Sequence, residues 1–345
     1  MSTIFVTGGA GFLGINLIRK LLLEGHDVVS YDLQEFGYPE RTRVKHVVGD
    51  IRDKASVTKA MNGAKAVVHA AAALPLNTDH DIETVDIDGT RNVIEAASQH
   101  GITRFIHISS TAVYGVPAAG GMTEESPMVG VGAYGKAKIV AEEIVTSFRD
   151  QMAVTIIRPK SFIGPERLGV FSLLYDWAST GHHFPIPGRG HNLYQYLDVE
   201  DLCDVLYLCL EAPAAVANDT YNIGAVEYGT FRSDFQAVLD RAGFGKKVRG
   251  LPVAPVIGIL RVLDRIGWSP LYPWVYETAV KDSFVSIDRA MTYLNWKPKF
   301  SNQEALIRNY DWYVLHKSEF SKQSGTTHRV PWKQGALGLA KAFFR

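Results

Sequence analysis

The stretch Thr7-Gly8-Gly9-Ala10-Gly11-Phe12-Leu13-Gly14 follows the apolar run Thr3–Thr7 and opens an apolar-periodic segment, Phe12–Glu24. Its glycines satisfy G-x-G-x-x-G through Gly9, Gly11 and Gly14, and G-x-x-G-x-x-G through Gly8, Gly11 and Gly14. Residues without a Cβ allow a tight turn and let a pyrophosphate approach the backbone. The helix that follows then offers that anion the free N–H groups of Phe12, Leu13 and Gly14 and a favourable dipole. Glycines by themselves mean only a turn. Placed between a strand and a helix, they read as a dinucleotide site.

Outward from this turn, the first 160 residues alternate β-branched runs with helical patterns. The expected strands are Thr3–Thr7, Asp27–Tyr31, Val44–Val48, Ala66–His69, Arg104–Ser109 and Val154–Arg158, with helices clearest at Phe12–Glu24, Val85–Gln99 and Tyr134–Arg149. The strands are continuous apolar runs, as in a parallel sheet covered on both faces. The fold class is therefore α/β, a doubly wound parallel Rossmann-type sheet, with a smaller and mostly helical C-terminal substrate domain. Pro165, Pro185, Pro187, Gly188 and Gly190 mark the change of texture, and Tyr221–Ile223 is expected to return to the sheet. The expected division assigns 1–163 plus about 190–224 to cofactor binding, about 164–189 plus 225–317 to substrate, and 318–345 to a tail.

Composition narrows the function classes. The 36 basic and 36 acidic residues cancel, which argues against a nucleic-acid partner. Cys203 and Cys209 are the two cysteines, too few to staple 345 residues, and no Cys/His cluster suggests a metal. The chain enters a strand almost at once, leaving no room for a charged leader before it, and its most apolar stretch, Pro252–Trp268, is broken by Arg261, Asp264 and Arg265. A cytoplasmic location is expected.

Asp32 ends the second strand 18 residues after Gly14, near the spacing of about 20 at which a carboxylate reaches an adenosine ribose. It would accept bonds from the ribose hydroxyls and repel a 2′-phosphate, which favours NAD over NADP. After the third strand, Asp50 and Ile51 are candidates for the adenine. After the fourth, Ala70, Ala71 and Ala72 supply small side chains where the backbone passes the cofactor.

Tyr134 and Lys138 stand four apart on one helical face. The same spacing recurs at Tyr293/Lys297 and Tyr313/Lys317, so spacing alone decides nothing. Context selects Tyr134, which lies in the dinucleotide-binding half after Ser109-Ser110-Thr111. A free phenol titrates near pH 10. An adjacent ammonium lowers that value and makes the phenol a usable base.

TGGAGFLG (7–14), Asp32, GDI (49–51), HAAA (69–72), SSTAVYG (109–115), YGKAK (134–138) and RPKSFIGP (158–165) together resemble the extended short-chain dehydrogenase/reductase superfamily, its NAD-dependent epimerase/dehydratase group. The resemblance implies Ser110 beside the substrate oxygen, Tyr134 as acid/base and Lys138 on the nicotinamide ribose. It also implies cofactor contacts from Ser109, Pro159 and Ser161, and a homodimer through the helices at 85–99 and 134–149. One departure is visible: the usual N-x-x-G-T reads Asp86-Ile87-Asp88-Gly89-Thr90.

Two substrate classes compete. Nucleotide-sugar enzymes of the group carry an arginine where Tyr194-Gln195-Tyr196-Leu197-Asp198-Val199-Glu200-Asp201 has Tyr194, and often an asparagine where this chain has Lys160-Ser161. Tyrosine supplies no charged fork to a phosphate, although Lys160, Arg167 or Arg189 would compensate. The segments beginning at Leu251 and Phe284 are instead similar to the 3β-hydroxysteroid dehydrogenase-like branch, which includes sterol-4-carboxylate 3-dehydrogenases. The expectation therefore places oxidation or reduction of a hydrophobic, sterol- or lipid-like alcohol slightly ahead, with a nucleotide-sugar 4-epimerase or dehydratase as the alternative. In the tail, Lys333, Lys341 and Arg345 flank Trp332, Leu337, Leu339, Phe343 and Phe344, a composition suited to membrane-surface contact, although Gly335 and Gly338 weaken a helix there.

Overall fold

The computed structural model describes residues 2–116, 121–265, 278–320 and 341–345. Strands β1 (Thr3–Thr7), β2 (Asp27–Asp32), β3 (Lys45–Val48), β4 (Ala66–His69), β5 (Arg104–Ile108) and β6 (Ala153–Pro159) build the sheet. The short strands β7 (Phe162–Ile163), β8 (Phe184–Pro187) and β9 (Leu197–Asp198) lie outside it, and β10 (Thr220–Ile223) returns to pair with β6. The seven strands run in the order β10-β6-β5-β4-β1-β2-β3, all parallel. The order reverses between β1 and β4, the point at which an open α/β sheet leaves a crevice at its carboxyl ends.

Helices cover both faces because the strand side chains are apolar on both. Helix α1 (Phe12–Leu23) contributes Leu17, Ile18 and Leu21 to one core, joined by Leu202, Val205 and Leu206 of the helix Val199–Glu211. On the other face lie α2 (Lys54–Ala60), α3 (Asp79–Glu83), α4 (Thr90–Gln99) and α5 (Gly132–Thr146), with Val57, Val93, Ile94, Ile144 and Val145 in the core. The single helix expected over Val85–Gln99 is interrupted. Thr84–Gly89 is a π-helical turn between α3 and α4, a widened ring that apolar spacing does not reveal.

A third core joins α6 (Phe171–Ser179) to the helices Phe231–Ala242 and Asn302–Phe320 through Tyr175, Phe235, Leu239, Leu306 and Tyr313. Beside it, β8 pairs in parallel with the strand Val248–Leu251. The helix Val253–Arg265 buries Leu260 but leaves Ile259 and Val262 59% and 58% exposed, so much of its apolar stripe faces outward. Among the described residues no helix is long and apolar enough to cross a membrane. Trp332, Leu337 and Leu339 of the expected interfacial run lie outside the described residues. The last residues dock on α6: Lys341 reaches Asp176 at 2.5 Å, and the Phe344 ring packs 5.7 Å from that of Trp177.

Candidate active site

The glycine turn is shaped by exclusion. Gly8 has φ +69°, and a Cβ there would lie 2.8 Å from the Ala71 nitrogen; a Cβ on Gly14 would lie 2.1 Å from the Gly8 carbonyl oxygen. Neither position tolerates a side chain. The Gly11 N–H closes the turn on the Gly8 carbonyl at 3.0 Å. No side chain caps α1, so its first-turn N–H groups are left for an anion. Asp32 sits against this turn, accepting the Ala10 N–H at 3.0 Å and the Gln34 N–H at 2.9 Å. The cradle, the uncapped helix and the acidic strand end together fit a dinucleotide.

Thr7, the last residue of β1, ties the crevice together. Its hydroxyl oxygen accepts the N–H groups of Ala70 and Ala71 at 3.1 Å each, so its proton goes to His69 Nδ1 at 2.7 Å. His69 Nε2 then donates to the Thr90 hydroxyl at 3.0 Å, which donates to the Asp86 carbonyl at 2.7 Å. Burial pushes His69 down to about 3, with the nearby Lys138 ammonium adding to the effect, and the ring stays neutral as this chain requires. Ala72 is exposed beyond the clamp. Ile51 is buried, and its Cδ1 would lie 2.5 Å from a Cβ on Gly89. The Asp50 carboxylate is held by Arg52, with Nη2 at 2.6 Å, and that contact keeps it below its ordinary pKa.

The expected catalytic residues converge at the carboxyl end of β5. Lys138 Nζ lies 5.6 Å from the centre of the Tyr134 ring, and the Ser110 hydroxyl, beside the phenol, lowers its pKa. Ser110 also accepts the Ala112 N–H at 3.1 Å, so its capping role and its place beside Tyr134 coexist. Ser109 is turned away. Its hydroxyl donates to Glu142 Oε1 at 2.5 Å in a buried network where Arg158 meets Glu142 at 2.6 Å and the Tyr114 hydroxyl at 2.8 Å. Glu142 and Arg158 stand 16 positions apart on different elements, with no local signal linking them. Pro159 closes β6, paired with Ile223, and Ser161 lies beside Tyr194, lowering the pKa of a phenol that burial raises.

The acidity of Tyr134 departs from the expectation. Burial raises its pKa above the ordinary value, and the Asp86 carboxylate pushes the same way against the lowering effects of Lys138 and Ser110. Asp86 Oδ1 lies 3.5 Å from Lys138 Nζ, with the two residues 1% and 3% exposed. Sequence reading marked Asp86 as a departure but did not foresee this ion pair.

A pocket opens next to Ser110, between Thr111, Tyr114 and Gly115 on one side and Lys160, Ser283 and Phe284 on the other. Lys160, 5% exposed, donates to the Ser283 hydroxyl at 2.6 Å and lies 5.2 Å from the centre of the Tyr194 ring. Burial pushes its pKa down to about 7. Among the described residues no cluster of three or more His, Cys, Asp or Glu is arranged to hold a metal.

Known proteins agree with this architecture. The chain is 32% identical over 342 residues to the uncharacterized protein y4nG of Sinorhizobium fredii, covering 98% of this chain and 85% of that one. It is 27% identical to a UDP-glucose 4-epimerase of Lactobacillus helveticus (91% and 97% covered) and 28% identical to a 3 beta-hydroxysteroid dehydrogenase/Delta 5-->4-isomerase of Mycobacterium tuberculosis (91% of each). The crystal structure of a UDP-glucose 4-epimerase from Thermotoga maritima superposes with a TM-score of 0.77 at 22% identity, covering 91% of this chain and 99% of that one. The sequence profile of one family matches residues 4–224, the span that holds the glycine turn and the Ser110–Tyr134–Lys138 set. The chain belongs to the NAD dependent epimerase/dehydratase family.

Proposed function

We propose that this enzyme oxidises and reduces a secondary alcohol carbon, with Tyr134 as the acid/base, Ser110 orienting the oxygen, and a polar substrate of the nucleotide-sugar class. The observation that carries the chemistry is the meeting of Ser110, Tyr134 and Lys138 beside a glycine cradle. Bound NAD supplies the hydride acceptor and donor. Gly8, Gly11 and the first turn of α1 would hold its pyrophosphate, Asp32 the adenosine ribose, and Lys138 the nicotinamide ribose. Tyr134 Oη takes the hydroxyl proton as the carbinol is oxidised and returns it when the carbonyl is reduced. In an epimerase both steps occur in one cycle, and the cofactor is retained between them.

The buried Lys160 amine and the Ser283 hydroxyl favour a polar substrate over a bare sterol skeleton, because buried polar groups are costly beside hydrocarbon. The hydrophobic-alcohol reading keeps one support: Met122, Phe284 and Val285 line the same pocket. Purification followed by cofactor analysis separates the two. Tightly held NAD(H) together with UDP-sugar turnover that consumes no added cofactor supports the epimerase. Stoichiometric reduction of added NAD by a 3β-hydroxysterol supports the dehydrogenase. In either case Tyr134→Phe should lower turnover by roughly 100-fold or more, the usual scale for losing a general acid/base. Full activity in that variant would remove Tyr134 from the mechanism.

A further inference from the structure

The Lys138 ammonium does not act on Tyr134 alone. Asp86 projects from the π-helical turn Thr84–Gly89 toward α5, where its Oδ1 accepts the Ala73 N–H at 3.1 Å and meets Lys138 Nζ at 3.5 Å. Its backbone is anchored from β4, since the Thr90 hydroxyl that receives the His69 Nε2–H bonds the Asp86 carbonyl. The other carboxylate oxygen, Oδ2, is buried with no hydrogen-bond partner among the described residues. Among the described residues this buried carboxylate has one cation beside it, and that cation is the one expected to activate the phenol.

We propose that Asp86 is a positioning residue: it is the fixed counter-ion of Lys138, cancels much of that ammonium's pull on Tyr134, and keeps the phenol protonated as a proton donor. The inference rests on the proposed acid/base role of Tyr134 and adds a direction to it. With the neutral asparagine of the resembling pattern, the ammonium would act on the phenol unopposed. With Asp86 ionised the pair has no net charge; burial raises the Asp86 pKa, while the Lys138 ammonium and the Ala73 N–H oppose that rise and favour the carboxylate. A phenol kept protonated is suited to delivering a proton to a carbonyl oxygen as that carbon is reduced, and demands higher pH before it can serve as the base.

The other ionisable groups around this pair do not change the sign. From α5, Glu142 is matched by Arg158 at 2.6 Å. From β4 and β5, burial holds His69 and His107 well below their ordinary values, so both stay uncharged at the pH values of interest. From the loop after β7, Arg167 lowers the phenol, but more weakly than Lys138 or Ser110 does. Asp86 is the carboxylate that pushes both Lys138 and Tyr134 upward.

The test is a pH titration of the full chain, without substrate, labelled with 13Cζ-tyrosine. The Tyr134 signal is identified by its disappearance in Tyr134→Phe. In Asp86→Asn, which keeps an oxygen for the Ala73 N–H, the phenol midpoint should fall by about one pH unit or more. Asp86→Ser repeats the measurement without a buried amide, and Asp86→Glu, which restores the charge, should return the midpoint toward wild type. An unchanged midpoint in the folded neutral variants overturns the inference, and so does failure of both to fold, which would make Asp86 purely structural. Full turnover in Tyr134→Phe would instead overturn the acid/base assignment, a separate result.

Discussion

Gly14 shows how little freedom a single residue has at the cofactor turn. A methyl group there would lie 2.1 Å from the Gly8 carbonyl oxygen and 2.6 Å from the Gly9 Cα, both backbone atoms that cannot swing aside. Gly14→Ala must therefore open the turn that brings the α1 N-terminus up to a pyrophosphate. NAD affinity, read by isothermal titration calorimetry, should fall at least tenfold, a loss of about 1.4 kcal/mol. Affinity equal to wild type would mean that the dinucleotide lies elsewhere. At the same scale, Tyr134 shows what identity alone leaves out. The residue and its spacing to Lys138 are legible in sequence. Its acidity depends on burial and on Asp86, 48 positions earlier in the chain.

At the scale of elements, α5 carries the active-site tyrosine and is pinned to β6 by a buried ion pair. Arg158 of β6 donates to Glu142 of α5 at 2.6 Å and 2.9 Å, and Ser109 at the end of β5 completes the carboxylate's partners. Such a pair need not be worth much against apolar packing, but breaking it strands a charge. Arg158→Met should cost about 3–5 kcal/mol of stability by chemical denaturation. The double variant Glu142→Leu/Arg158→Met should recover most of that loss. A single variant no more damaging than the double would show that the buried charge is not what Arg158 neutralises. The strands were readable because their apolar runs have no competing period. The π-helical turn was not, because nothing in the residue types marks its extra residue per turn, which buries Asp86 and Gly89 and leaves Val85 and Ile87 half-buried.

At the scale of the molecule, the helix Asn302–Phe320 and its approach are locked onto Tyr194, Tyr196 and the helix Val199–Glu211 through buried polar groups. Asn302 donates to the Tyr194 carbonyl at 2.6 Å and accepts the Tyr196 N–H at 2.8 Å, while Asp201 accepts the N–H groups of Lys299 at 2.8 Å and Phe300 at 3.1 Å. Burial pushes Asp198 and Asp201 up to about 6 despite their partners. A carboxylate raised in the folded state holds its proton where the unfolded chain has released it. Stability from these groups is therefore full below about pH 4 and is lost as pH rises through 6. Asp201→Asn removes one of the two. From pH 4 to 7, wild type should lose on the order of 2 kcal/mol relative to that variant in urea denaturation. Parallel pH profiles would mean that Asp201 titrates normally in the fold.

The parallel sheet, the glycine turn, the acidic residue closing β2 and the identity of the Ser110–Tyr134–Lys138 set were all available from sequence, since each depends on local spacing or on apolar runs that any doubly wound sheet must bury. What surrounds those residues required the tertiary structure. The diversion of Ser109 to Glu142, the Asp86–Lys138 pair and the placing of Lys160 beside Ser283 join positions from different elements. Hydrogen bonds and charges act over a few ångströms of space, whatever their separation along the chain. Sequence could name the groups, but only folding decided which carboxylate faces which cation, and so how acidic the phenol between them is.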